Sequence, residues 1–332
     1  MLFGSLWPAL IRELRALGHK IVLFERESAG TAAAENRDVI QYRSWASARA
    51  EAAKQLANAD AAIVTSASAD VPDATRAVLG SNVRVRCFFD LDPAAGARSV
   101  PPGGLGGFDV VLSNIGGRAL AELKSRLGAR HVVPLYGCAD PNLCRPTDPD
   151  ERYRADLSYL GTWTPSLESL FLEPARRRPE LRFLAAGCER PSESTAPENV
   201  QFLPRVDPED HARLYCSARM MLSVAPAKAA EMGYCPSNQM FEAAACGIPV
   251  LSDDWEGLDY FFEPGREILV ARTTGHVMDA LALPAERLGQ IGRAGMERVL
   301  AAHTAARRAL DLENILEAAI SLPVEQTGSV RP

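Results

Sequence analysis

Residues Gly233 to Phe262 read GYCPSNQMFEAAACGIPVLSDDWEGLDYFF. The order is loop, helix, turn, apolar strand, loop, which is one half of a βαβ repeat. With Pro236 at the first helical position, the backbone N–H groups of Ser237 and Asn238 are left without intrahelical acceptors. Together with the helix dipole they make an anion site, and a nucleoside diphosphate is its natural occupant. Glu242 falls about one and a half turns further on, where a carboxylate accepts bidentate hydrogen bonds from a ribose diol. A solvated helix residue is the competing reading of Glu242 on its own.

The same alternation extends outward in both directions. Short apolar runs at Leu157 to Leu160, Leu181 to Ala185, Met220 to Ala225, Val250 to Ser252 and Ile268 to Ala271 read as buried parallel strands with helices between them. Upstream, runs at Lys20 to Phe24, Ala61 to Thr65, Val83 to Phe89, Phe108 to Leu112 and Val132 to Leu135 alternate with helical stretches at Trp45 to Ala57 and Arg118 to Leu127. Leu10, Ile11, Leu14 and Leu17 recur at helical spacing after Pro8, and Gly18 caps that first helix. The stretch DPNLCRPTDPDERYR, Asp140 to Arg154, combines three prolines with many charges and no periodicity, the composition of a linker. The reading is therefore an N-terminal Rossmann-like domain over residues 1–150 and a second over 151–302. A last helix at 303–322, with its stripe of Leu310, Ile315, Leu316 and Ile320, crosses back to the first. Ligands bind such sheets at the carboxyl ends of their strands, so the functional cleft is expected between the two domains.

The 332 residues fit two domains, and 47% hydrophobic and 23% charged residues are ordinary globular composition. Lys+Arg 36 against Asp+Glu 42 gives a net charge of −6, so no bulk positive field favours a nucleic-acid partner. Seven scattered cysteines without a C-x-x-C pair argue against a zinc site or disulfide framework and for a reducing cytoplasm. The opening run from Met1 to Ile11 lacks a basic region and a cleavage site, and no apolar stretch reaches the roughly 20 residues of a spanning helix, so no export signal and no integral membrane segment is expected.

The Gly233 to Phe262 segment resembles the donor-binding segment of the GT-B glycosyltransferases, and especially of the CgeB-like (spore maturation protein) family. Further similar stretches are FFDLD at Phe88 to Asp92, FDVVLS at Phe108 to Ser113, LGARHVVPLYGCADPNLCRP at Leu127 to Pro146, ADLSYLGT at Ala155 to Thr162 and PGREILVAR at Pro264 to Arg272, which together cover nearly the whole chain from Trp7. The resemblance implies an α/β GT-B fold of two doubly wound domains facing a central cleft. It implies a nucleotide-sugar donor held by the C-terminal domain, an acceptor held by the N-terminal one, no cofactor beyond that co-substrate and no obligate metal. Carried over by motif, Glu242 resembles the glutamate that binds the donor ribose. The loop of Tyr234, Cys235, Pro236, Ser237 and Asn238 faces the diphosphate, and Gly161 and Thr162 form the phosphate-side turn opening the second domain. Asp253, Asp254, Trp255 and Glu256 fall in the loop near the donor sugar, although Trp255 reads equally well as a packing residue.

Three departures from the family pattern stand out. Many retaining members carry a glutamate eight residues before the ribose glutamate, where this chain has Tyr234. Arginines common in the family at two places are replaced by Ala225, Pro226 and Gln239, and Lys228 or Arg205 are the candidate substitutes. The chain also enters its first helix almost at once. The expected first strand is therefore missing or shortened, either because the start lies upstream or because the sheet is built without it.

Among other candidates, Asp90 and Asp92 spell D-x-D at a strand end and offer a catalytic base or an acceptor contact, against turn formation before Pro93. Gly103 to Gly107 precedes a strand and reads as a flexible connection, whereas Gly116 and Gly117 follow one and open a helix. The five histidines show no metal-ligand spacing. The reading that results is a cytoplasmic, metal-independent glycosyltransferase moving a hexosyl or related unit to an acceptor that is a small molecule, a glycan or a protein. Its alternatives are a catalytically silent partner or regulator of an active transferase, and a nucleotide-sugar epimerase on the same fold.

Overall fold

The computed structural model of the chain describes residues 6–27, 38–66, 70–92, 100–189 and 196–321. In chain order the first elements are α1 (Leu6–Ala16), β1 (Leu23–Arg26), β2 (Val39–Tyr42), α2 (Trp45–Leu56), β3 (Ala61–Thr65), α3 (Val71–Leu79), β4 (Val85–Asp90), β5 (Val110–Ser113), α4 (Arg118–Ser125) and β6 (Val132–Pro134). They are followed by β7 (Leu157–Leu160), α5 (Glu173–Arg177), β8 (Phe183–Ala186), β9 (Val200–Leu203), α6 (His211–Ser217), β10 (Met221–Ser223), α7 (Ala227–Met232) and α8 (Asn238–Ala245). The last elements are β11 (Val250–Ser252), α9 (Leu258–Phe261), β12 (Leu269–Val270), α10 (Thr274–Leu281), α11 (Ala285–Ala302) and α12 (Ala305–Ile320).

The chain forms two compact units. The larger takes in the residues up to Leu17, Asn114–Ala119 and Tyr136–Ala309, and the smaller takes in Gly18–Ser113, Leu120–Leu135 and the residues from Leu310 on. The larger unit holds a six-stranded parallel sheet in the order β12-β11-β10-β7-β8-β9. This is the doubly wound order, with its topological switch point between β7 and β10. The core of this sheet is apolar: Leu157, Phe183, Leu222 and Leu251 have almost no exposed surface and pack with Phe171, Leu172 and Val277. Each such side chain, fully buried, contributes about 1.5–3 kcal/mol through the area it removes from water.

The smaller unit holds a four-stranded parallel sheet, β3-β4-β5-β6, and a separate parallel pair, β1-β2. Phe88, Phe108, Val111 and Leu123 are at the centre of its core. A doubly wound sheet carries a central strand ahead of its first helix. No described residue precedes α1, so the expectation of a missing or shortened first strand falls outside the described residues; among the described residues no strand joins β1 and β2 to β3.

Local sequence explains the helix boundaries that matter most for the site. The Ser237 hydroxyl accepts the Met240 N–H and caps α8, and the Thr273 hydroxyl accepts the His276 N–H and caps α10. No helix among the described residues is long and apolar enough to cross a membrane.

Candidate functional site

The switch point of the larger sheet brings the ends of β7 and β10 together, and both carry residues that sequence reasoning singles out. Gly161 and Thr162 follow β7. The Tyr159 hydroxyl donates to the Thr162 carbonyl at 2.5 Å, which fixes this turn. At Gly161, φ is +152°, and a Cβ there would sit 2.9 Å from that same hydroxyl oxygen, so the turn requires glycine. Ser223 ends β10, and its hydroxyl lies 3.3 Å from that of Ser237 across the crevice. Lys228 is exposed on α7, the helix that begins just beyond β10.

Helix α8 starts two residues later than the spacing suggests. Ser237 is the cap and Pro236 precedes it, so the first-turn N–H groups without an intrahelical acceptor are those of Asn238 and Gln239, both half-buried. The reason is chemical: the hydroxyl of Ser237, whose own backbone is extended at φ −80° and ψ 154°, captures the N–H three residues on and so sets the start of the helix there. Glu242 lies on this helix and is 3% exposed. Its Oε2 accepts a hydrogen bond from the Tyr215 hydroxyl at 2.9 Å and sits 3.6 Å from His211 Nδ1. Tyr215 is fully buried, and burial with the neighbouring Glu242 charge raises its phenol well above the usual range, so it remains a donor.

The loop after β11 divides by residue. Asp253 accepts the Ala225 N–H on both carboxylate oxygens at 3.1 Å, tying the ends of β10 and β11 together, and burial pushes it up to about 6. Asp254 is exposed and pairs with Arg272 at 2.7 Å. Trp255 is buried against Phe261 with ring centroids 5.9 Å apart, the packing side of its two readings. Glu256 is exposed, and its carbonyl accepts the Tyr234 N–H at 2.6 Å.

Tyr234 has a φ of +46°, a left-handed backbone costly for a tyrosine. The surroundings over-determine it. Its carbonyl accepts the Gly116 N–H at 3.0 Å, and a Cβ at Gly257 would sit 2.5 Å from its ring. A Cβ at Gly117 would collide with the Met232 carbonyl. Glycines at 116, 117 and 257 therefore form the slot that holds Tyr234 and, two residues on, the entry to α8.

Two groups that sequence reasoning does not single out support the same helix. Arg308, buried on α12, donates to the carbonyls of Tyr136 and Gly137, whose backbone packs against Asn238. Arg308 also donates to His303 Nδ1 at 3.0 Å, which assigns the ring proton to Nε2, 3.3 Å from the Phe261 carbonyl. Tyr215 is the other. It sits in an ordinary apolar helical pattern, so nothing local marks its hydroxyl as a partner of a carboxylate 27 positions away.

In the smaller unit, Asp90 ends β4 and is 2% exposed. Its Oδ1 accepts the Asp92 N–H at 3.2 Å. Burial pushes Asp90 up to about 6, against which the Asp92 N–H and the Ser66 hydroxyl act by stabilising the ionised form. A folded value above the unfolded one means that stability is lost as pH rises from near 4 to about 6 and stays level above it. Each pH unit between the two values is worth about 1.4 kcal/mol, so ionised Asp90 costs the fold on the order of 3 kcal/mol at neutral pH. Asp90→Asn, which keeps an acceptor for the Asp92 N–H, is expected to stabilise the protein at pH 7 and to have little effect at pH 4. Urea unfolding across that range measures the difference, and equal stability changes at both pH values would contradict it. Among the described residues no three His, Cys, Asp or Glu side chains cluster as a metal site.

Residues 165–314 match the family described as glycosyl transferase-like. No curated protein matches the chain. Among solved structures it is similar to a glycosyltransferase from Rickettsia africae ESF-5, at 11% identity over 97% of this chain and 97% of that one, with a TM-score of 0.65. It is also similar to HepE of Anabaena in complex with UDP and glucose, at 10% identity over 90% and 100%, with a TM-score of 0.63. A third is an alpha-glucosyltransferase in complex with UDP and a 13-mer DNA, at 12% identity over 93% and 95%, with a TM-score of 0.66. The fold of this chain is thus the mixed α/β fold of GT-B glycosyltransferases, matched across nearly its whole length.

Proposed function

We propose that the protein is a glycosyltransferase of CgeB-like type that moves a hexosyl or related unit from a nucleoside-diphosphate sugar to an acceptor, without a cofactor or an obligate metal. The observation that carries this reading is the arrangement on α8: unpaired N–H groups of Asn238 and Gln239 at its start, and Glu242 one turn behind them, next to the switch point of a doubly wound sheet. Departure of the nucleoside diphosphate builds negative charge on phosphate oxygens, and fixed N–H donors at a helix terminus stabilise that charge without reorganising. In this reading Glu242 grips the ribose diol. Gly161, Thr162 and Lys228 flank the phosphates, and the loop of Tyr234 to Ser237 shapes their approach. Asp254, Trp255 and Glu256 border the donor sugar, with Trp255 contributing through packing. Asp90 or Asp92 takes the acceptor proton, and an Asp90 raised to about 6 is matched to that task near neutral pH.

The neighbours solved with UDP and glucose make UDP-glucose the first donor to try. A net charge of −6 supports an acceptor that is a small molecule, a glycan or a protein over a nucleic acid. One observation favours a second reading, a silent partner of an active transferase: Ala225, Pro226 and Gln239 stand where the resemblance leads one to expect arginines. A thermal-shift panel with UDP, GDP, dTDP, ADP and CDP separates the two. Ligand at about a hundred times its Kd adds about 2.7 kcal/mol and raises Tm by a few degrees. A shift with one nucleotide supports the transferase, whereas no shift with any of them overturns nucleotide binding and leaves the silent partner.

A further inference from the structure

Glu242 has three rotatable side-chain bonds, yet its carboxylate must present one edge to a ligand if it is to hold a diol. One side chain that addresses it comes from another helix. Tyr215 on α6 donates its hydroxyl to Oε2 at 2.9 Å, and both residues are buried. His211, a turn earlier on α6, brings Nδ1 to 3.6 Å from the same oxygen. Its ring stands edge-on to Tyr215 with centroids 6.2 Å apart. Both groups therefore address Oε2, from the α6 side. The packing of α6 does not depend on the hydroxyl, because Leu214 and the Tyr215 ring are themselves fully enclosed and Ala212 is nearly so. A buried hydroxyl aimed at a buried carboxylate is a directional contact, and removing it takes one restraint from the Oε2 edge without opening a cavity.

We infer that Tyr215, flanked by His211, is a positioning residue that sets the carboxylate of Glu242 for a ribose diol and so gives the protein its selectivity for ribonucleotides over 2′-deoxyribonucleotides. This rests on the nucleotide-sugar reading of the α8 site. It assigns Tyr215 no contact with the ligand.

The test is isothermal titration of UDP, GDP and ADP, each against its 2′-deoxy form, into the full-length protein and into Tyr215→Phe. The wild type is expected to prefer the ribose form of its nucleotide by about tenfold, the effect of one charge-assisted hydrogen bond. In Tyr215→Phe the ribose form weakens while the 2′-deoxy form keeps its affinity, so the preference collapses toward unity. If both forms weaken together, or neither does, the preference survives and Tyr215 is structural only, which overturns the inference. A wild type that binds nucleotide without any ribose preference removes the role of Glu242 itself, and the inference falls with it. Should Tyr215→Phe fail to fold, His211→Gln reads the same oxygen from a half-buried position. There a reduced ribose preference supports the inference and an unchanged one overturns it.

Discussion

Glu242→Gln is expected to weaken nucleoside-diphosphate binding by about ten- to a hundredfold while Tm stays within a few degrees of the wild type. The amide keeps the volume of the carboxylate, and its oxygen still accepts from the Tyr215 hydroxyl, so the buried contact between α6 and α8 survives. What is lost is the second acceptor and the charge. A hydrogen bond to a charged group is worth about 1.5–3 kcal/mol, and an amide nitrogen turned toward a ribose diol donates where it needs to accept. Titration calorimetry measures this directly. Equal affinity in the two proteins would show that the nucleotide, if it binds, does not use this carboxylate.

The slot around Tyr234 is where the second large effect is expected. Gly117→Ala forces a side chain into a φ of +54° and drives its Cβ into the Met232 carbonyl, a backbone atom that cannot turn aside. Strain and overpacking of this kind cost about 2–4 kcal/mol together, which at this size lowers Tm by about 5–10 °C. Because the Tyr234 carbonyl accepts the Gly116 N–H, the displacement is also expected to reach the start of α8 and weaken nucleotide binding. Calorimetric melting with and without UDP reads both consequences. A variant that melts with the wild type would mean that the segment relaxes freely and that the left-handed Tyr234 carries no strain.

Much of this architecture is written in short-range patterns. Strands β7 and β11 occupy the apolar runs Leu157 to Leu160 and Val250 to Ser252, because strands buried inside a sheet need largely apolar sequence. The parallel pair partner β2 and the outermost strand β9 left no such trace. VIQY and VQFL are short, and polar residues break their apolar runs, as befits strands at the margin of a sheet. Within the site, Glu242, Ser237 and Asn238 are legible because helix-start chemistry is local. Their exact roles shift by two residues because the Ser237 cap prevails over a proline at the first helical position. Trp255 and Asp253 turn inward to neighbours fixed by tertiary packing, and loop sequence does not encode which way a side chain faces. Tyr215, His303 and Arg308 were hidden for the same reason. The partners of Tyr215 and Arg308 lie 27 and 171 positions away in the chain, beyond any periodic signal.

The central claim is that α8 holds a nucleoside diphosphate, with Glu242 on its ribose. The most direct measurement is the structure of the protein crystallised with the nucleotide that gives the largest thermal shift. The expected result is a diphosphate against the N–H groups of Asn238 and Gln239, and ribose hydroxyls within hydrogen-bond distance of the Glu242 carboxylate, with Tyr215 still on Oε2. A nucleotide bound elsewhere, or one at α8 whose ribose turns away from Glu242, would contradict the account.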